Sequence, residues 1–136
     1  MKFCVLLLAT IGTLALQPVR ADWHCQNDLE VHCDESSCEL TNSDEATAMA
    51  VSFSESGRFS VCAYSGCWSG LGTVVSLSPF LVITSEKAEW SFPPDRTANA
   101  KDVLIAFDPS DKVALVKVSG WAIPFRCETN PARDGN

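Results

Sequence analysis

Cysteine and histidine are the residues of this chain whose chemistry depends most on spacing. Six of the seven cysteines, Cys25, Cys33, Cys38, Cys62, Cys67 and Cys127, lie beyond residue 21, and the only two histidines each precede one of them, as His24-Cys25 and His32-Cys33. Neither the C-x2-C nor the H-x3-H spacing of a zinc module occurs, so disulfides are the expected use of the thiols. A second metal chemistry is possible at the start of the mature chain. If an export signal ends at Ala21, the new amino terminus is Asp22-Trp23-His24. A free amine, two amide nitrogens and a third-position imidazole suit the square-planar geometry of Cu(II) or Ni(II). No G-x-S-x-G elbow, H-E-x-x-H helix or phosphate loop is present, and no cofactor motif is found. The expectation is a protein that does not catalyse.

Residues 1–21 read as a signal peptide: Lys2 is followed by an apolar run from Phe3 to Leu16, then by Val19-Arg20-Ala21 with small residues where an exporting peptidase acts. That run is short for a bilayer span, which takes about 20 residues, so no membrane insertion is expected after cleavage. An even number of cysteines behind such a signal implies a periplasmic or extracellular location and three disulfides. The whole chain carries a formal charge of −7, and loss of Lys2 and Arg20 takes it to −9. A surface of that sign repels nucleic acid and anionic lipid; it suits solubility or a cationic partner.

The mature chain is long enough for one core, and its pattern is that of strands. A first hairpin is predicted from Asp22-Trp23-His24-Cys25 and Leu29-Glu30-Val31-His32-Cys33 around the turn Gln26-Asn27-Asp28, with His32 facing His24. Further strands are predicted over Ala48–Ser54, from Phe59 into the loop at Ser65-Gly66, and as one long strand from Gly70 to Leu77, where Gly70 and Gly72 indicate a bulge or bend. Phe80–Thr84 reads as a buried strand that turns at Ser85-Glu86-Lys87. Phe92 to Lys101 reads as the longest loop, because Pro93-Pro94 cannot join a central strand. Val103–Phe107, Val113–Val118 and Trp121–Cys127 complete the set. The fold class is therefore all-β, a small antiparallel barrel or sandwich of about eight to nine strands, in a single domain over 22–127 with a polar flexible tail over 128–136.

Alternation fixes which cysteines share a face. Cys25 and Cys127 both lie on tryptophan-bearing apolar faces at opposite ends of the mature chain, so a Cys25–Cys127 bond ties the first strand to the last. Cys33–Cys38 and Cys62–Cys67 are then local clips. The second clip closes a loop flanked by aromatic residues and placed outside the main apolar face, which makes Tyr64, Ser65, Gly66 and Trp68 the expected ligand-binding residues.

The order Trp23-x-Cys25, Ser65-Gly66, Trp68 followed by Gly70, and a closing Cys127 resembles small exported bacterial β-barrels related to the C-type lysozyme inhibitors. It is also similar to uncharacterised small cysteine-containing exported bacterial proteins. The inhibitor resemblance implies a Ser-Gly loop that enters a lysozyme cleft, and carries over Ser65, Gly66 and Trp68 only. The chain thus reads as an exported binding module for an unidentified protein or an envelope carbohydrate, with an envelope enzyme as one candidate. The two alternatives are a Cu(II)/Ni(II)-binding protein and a lysozyme-inhibitor-like protein.

Overall fold

The computed structural model describes residues 22–42, 44–91 and 100–130. The predicted signal peptide, 1–21, and most of the predicted long loop, at 92–99, lie outside the described residues, as does the end of the predicted tail, at 131–136. The described residues form eleven strands and no helix: β1 (Asp22–Gln26), β2 (Leu29–Cys33), β3 (Cys38–Asn42), β4 (Ala50–Ser54), β5 (Arg58–Ala63), β6 (Gly66–Leu71), β7 (Thr73–Ser76), β8 (Leu81–Trp90), β9 (Lys101–Asp108), β10 (Val113–Val118) and β11 (Trp121–Asn130).

Eight of them close an antiparallel barrel. β4, β5, β6, β8, β9, β10 and β11 follow one another around the ring, and β1 completes it by pairing with both β4 and β11. Barrel and sandwich were both open on the sequence; the double pairing of β1 makes it a barrel. Inward positions alternate with outward ones along each strand, and the lumen is filled by side chains such as Val51, Val61, Ile83, Ile105, Phe107, Ile123 and Phe125. Two aromatic groups fill its ends. Trp23 and Phe53 pack on Phe107 with ring centroids 4.4 and 5.1 Å away. At the other end Trp68 lies 4.3 Å from Trp90 and 6.0 Å from Trp121.

All three disulfides are the expected ones, and each joins residues that face one another directly across two antiparallel strands. Cys25 is opposite Cys127, Cys33 opposite Cys38 and Cys62 opposite Cys67, with Cα atoms 4.0, 4.1 and 3.9 Å apart.

The first hairpin is corrected. β1 and β2 do not pair with each other; both run along the same edge of β11, β1 opposite its end and β2 opposite Trp121. Gln26-Asn27-Asp28 is a jog rather than a turn, and Asn27 holds it. Its Nδ2 donates to the carbonyls of Leu29 and Thr47, and its Oδ1 accepts from the amide of Met49. β2 then turns outward with β3 as a hairpin attached to the barrel, a strand hidden in the sequence by its polar composition, Cys38-Glu39-Leu40-Thr41-Asn42.

Three smaller features complete the comparison, two of them differences with one cause. Ser85-Glu86-Lys87 is a bulge inside the ten-residue β8 rather than a turn. The long strand through Gly70 and Gly72 is broken into β6 and β7 at Gly72, where a Cβ would stand 2.6 Å from Ile83 Cγ2 and 2.7 Å from the Thr84 carbonyl oxygen. Glu128 to Asn130, placed in the tail by their polarity, extend β11 opposite His24 to Asp22. At β8 and at the end of β11 backbone pairing across the barrel outweighs local composition, whereas the break at Gly72 is the bend that its glycines predict.

Candidate functional site

The predicted binding residues divide between outside and inside. Tyr64 and Ser65 form the tip of the β5–β6 turn, and Tyr64 is 90 % exposed. Gly66 sits against Trp90, where a Cβ would come within 2.8 Å of the indole Cζ2. Trp68 is corrected as a surface residue: it is buried in the barrel, between Trp90 and Trp121. Its Nε1 finds no hydrogen-bond partner among the described residues. The signal for this was in the sequence, because Trp68 alternates with Cys67 and the clip lies outside. The groove described below is not lined by Tyr64, Ser65, Gly66 or Trp68.

The amino-terminal triplet is extended. Asp22, Trp23 and His24 pair with Ser54, Phe53 and Ser52 on one side and with Asn130, Thr129 and Glu128 on the other. Trp23 turns inward onto Phe107, while His24 is exposed. Wrapping a square-planar ion with these amides would require unpairing β1 from both neighbours. His32 does not face His24; it is opposite Glu39 and Trp121, and its ring lies 5.8 Å from that of Trp121. Among the described residues no three His, Cys, Asp or Glu side chains gather as a metal site.

Three surfaces remain. The first is a groove of about 560 Å³ across β1, β4, β5 and β6. Its floor carries a row of directly opposed residues, His24, Ser52, Ser60 and Ser69, one from each strand, and the same row continues beyond the groove to Glu128 on β11 and Glu89 on β8. Asp22 and Arg58 stand along the same groove. Carboxylate, imidazole and hydroxyl thus lie in register at Glu128, His24 and Ser52 on β11, β1 and β4.

The second surface is the β2–β3 hairpin. Cys33–Cys38 clips its tip, and Asp34 Oδ1 accepts from the amides of Ser36 and Ser37 at 2.7 and 2.8 Å. Those two amides, with the Ser36 hydroxyl, hold the Asp34 carboxyl below its usual range. At the hairpin's base Glu30 receives the amide of Thr47 and the indole of Trp121. Partial burial pushes the Glu30 carboxyl up, but these hydrogen bonds and the nearby His32 outweigh it and the net shift is downward.

The charge of the molecule follows the same division. Residues 22–57 contain nine Asp or Glu and no Lys or Arg, whereas residues 58–136 contain eight of each sign. The whole excess of −9 therefore lies on the stretch that makes β1, the hairpin and β4.

No family model, characterised protein or solved structure matches this chain. The third surface, on the outside of β8 to β11, carries an apolar row of Val82, Ala106, Leu115 and Pro124 bordered by the charged Asp108, Lys117 and Arg126.

Proposed function

We propose that the chain is an exported, non-catalytic binding module that uses its acidic hairpin to dock on a basic protein partner of the cell envelope, an envelope enzyme being the first candidate. Three disulfides fit an oxidising compartment, and among the described residues no helix is long and apolar enough to cross a membrane. Periplasmic or extracellular location is part of this proposal. The observation that carries it is the placement of the charge. The net −9 is concentrated on residues 22–57, and part of it lies on a covalently clipped hairpin outside the barrel. A rigid element of one sign loses little conformational freedom on binding and speeds encounter with a partner of the opposite sign.

A C-type lysozyme is the first partner to test, because of the resemblance and because Ser65 and Tyr64 are presented at an exposed, clipped tip. Surface plasmon resonance should show binding that weakens with salt and with the combined substitutions Asp34→Asn, Glu35→Gln and Glu39→Gln, and muramidase activity should fall at stoichiometric protein. Unchanged binding by the neutralised hairpin would remove the hairpin from the reading. Absence of both binding and inhibition would remove lysozyme. The serine-floored groove favours an envelope glycan as a second partner class, since Ser52, Ser60, Ser69 and Arg58 supply hydrogen bonds to hydroxyls. Chemical-shift changes at those residues on adding muropeptides would mark it.

A further inference from the structure

The Cys62–Cys67 disulfide lies on the outer face of the barrel. Val61 and Trp68, its neighbours in sequence, are buried, while Cys62 and Cys67 are half-exposed. The side chains beside it on that face are small. Ala50 is opposite Cys62 on β4, Ser91 exchanges hydrogen bonds with the Cys67 backbone, and Ser60 and Ser69 lie two positions along β5 and β6. Among the described residues in register with the pair, none is bulky enough to bar a thiolate from outside. One contact distinguishes the two sulfurs. Cys62 Sγ and Ser60 Oγ are 3.2 Å apart, and a disulfide sulfur has no proton to give, so the hydroxyl donates. A donor aimed at Cys62 Sγ favours its charged form, which makes Cys62 the better leaving group and Cys67 the sulfur open to attack.

The other two disulfides lack this combination. Cys25 and Cys127 are 1 % and 4 % exposed. Cys33 and Cys38 are accessible, but Asp34, Glu35 and Glu39 adjoin them, and carboxylates repel an attacking thiolate and disfavour a departing one. Residues 56–85, around the second clip, carry one charge, that of Arg58. Of the adjoining strands β4 has no carboxylate, and β8 brings one near, Glu89, diagonal to Cys67. We propose that Cys62–Cys67 is a thiol–disulfide exchange site for a protein dithiol. One thiolate of the dithiol bonds to Cys67 Sγ as the S–S bond breaks, and the electron pair leaves on Cys62 Sγ beside the Ser60 hydroxyl. The dithiol's second thiolate then bonds to its own first sulfur and expels Cys67 as a thiolate. The partner gains a disulfide, two electrons pass to Cys62 and Cys67, and the partner's two protons reach them through water. The exposed Tyr64 and Ser65 offer a protein a contact that a small thiol does not use. Pairing of β5 with β6 from Arg58–Leu71 to Ala63–Gly66 keeps the barrel closed, so the exchange loosens only this tip. The site stands apart from the docking role of the acidic hairpin.

Graded reduction of the native protein, quenched by alkylation and read by peptide mass spectrometry, orders the three disulfides. With dithiothreitol, Cys62–Cys67 should open at least about 10-fold faster than Cys25–Cys127, and faster than Cys33–Cys38, with the far-ultraviolet dichroism unchanged. Reduced thioredoxin, a protein dithiol, should open the same bond at a lower concentration than dithiothreitol. With glutathione, a monothiol, the mixed disulfide should collect on Cys67 rather than on Cys62. Ser60→Ala should slow opening of this bond by about three-fold or more, leave Cys33–Cys38 as it was and keep the melting curve. A Cys62–Cys67 bond that opens no sooner than Cys25–Cys127, or after Cys33–Cys38, overturns the proposal. Opening by dithiothreitol but not by thioredoxin overturns the protein partner. Glutathione spread equally over both sulfurs, or opening indifferent to Ser60→Ala, overturns the roles given to Cys67 and Ser60.

Discussion

The Trp121 indole in β11 donates its Nε1–H to Glu30 in β2, across 91 residues of sequence. With the amide of Thr47 on the other carboxylate oxygen, Glu30 fastens the acidic hairpin to the barrel. Glutamine offers one acceptor where glutamate offers two, so Glu30→Gln leaves one of these donors unmatched. The expected loss is about 1–2 kcal/mol at neutral pH, within the range for a donor left without its acceptor. Because the folded-state pKa lies below the ordinary value of 4.5, this contribution is complete above that value and fades as pH falls through the folded-state pKa. Urea unfolding of both proteins at pH 7 and in acid should show the difference shrinking toward low pH.

The three disulfides differ in what they close. Cys25–Cys127 spans 102 residues, and the two clips span 5 each. Chain entropy alone assigns about 4 to 5 kcal/mol to the first and about 2 kcal/mol to a clip. Cys25→Ala with Cys127→Ala should therefore cost about twice as much, in guanidinium unfolding, as Cys62→Ala with Cys67→Ala.

Gly66→Ala should be destabilising by about 1–3 kcal/mol, because its new methyl overlaps Trp90 and the strand can move only with the Trp68–Trp90 pair. Thermal melting gives the loss, and a changed near-ultraviolet dichroism reports the displaced indoles. An unchanged spectrum would mean that Trp90 is not packed on this glycine.

Tyr64 and Trp68 lie four residues apart and should behave as opposites. Tyr64→Ala removes an exposed ring and should alter stability by no more than about 0.5 kcal/mol. Trp68→Ala empties part of the barrel and should cost about 3–5 kcal/mol. A partner that reads the tip distinguishes them again: its affinity falls with the first substitution while the fold stays intact.

Much of this was legible from alternation. Val51 and Phe53 inward, the hairpins at Glu55-Ser56-Gly57 and at Asp108 to Asp111, and all three cysteine pairs follow from a period of two, because successive strand side chains point to opposite faces. The same rule applied across Cys67 and Trp68 would have put the tryptophan inside.

The rest has no local signature. Asn27 reads as a turn residue in sequence, and only the approach of Thr47 and Met49, some twenty residues away, makes it the brace of a jog. The strand β3 and the end of β11 are polar because they lie at the periphery, where pairing rather than burial holds them. The serine row and the apolar row each take one residue from each of several strands, so neither exists until the barrel closes.

The sequence by itself determined the all-β class, the disulfide partners and the amount of charge, since these depend on residue type, parity and count. Tertiary structure decided that β1 lies between β4 and β11 and that Trp68 is core. Closure is the reason: it brings together residues far apart in the chain and determines, for every strand, which of its two sides is the interior.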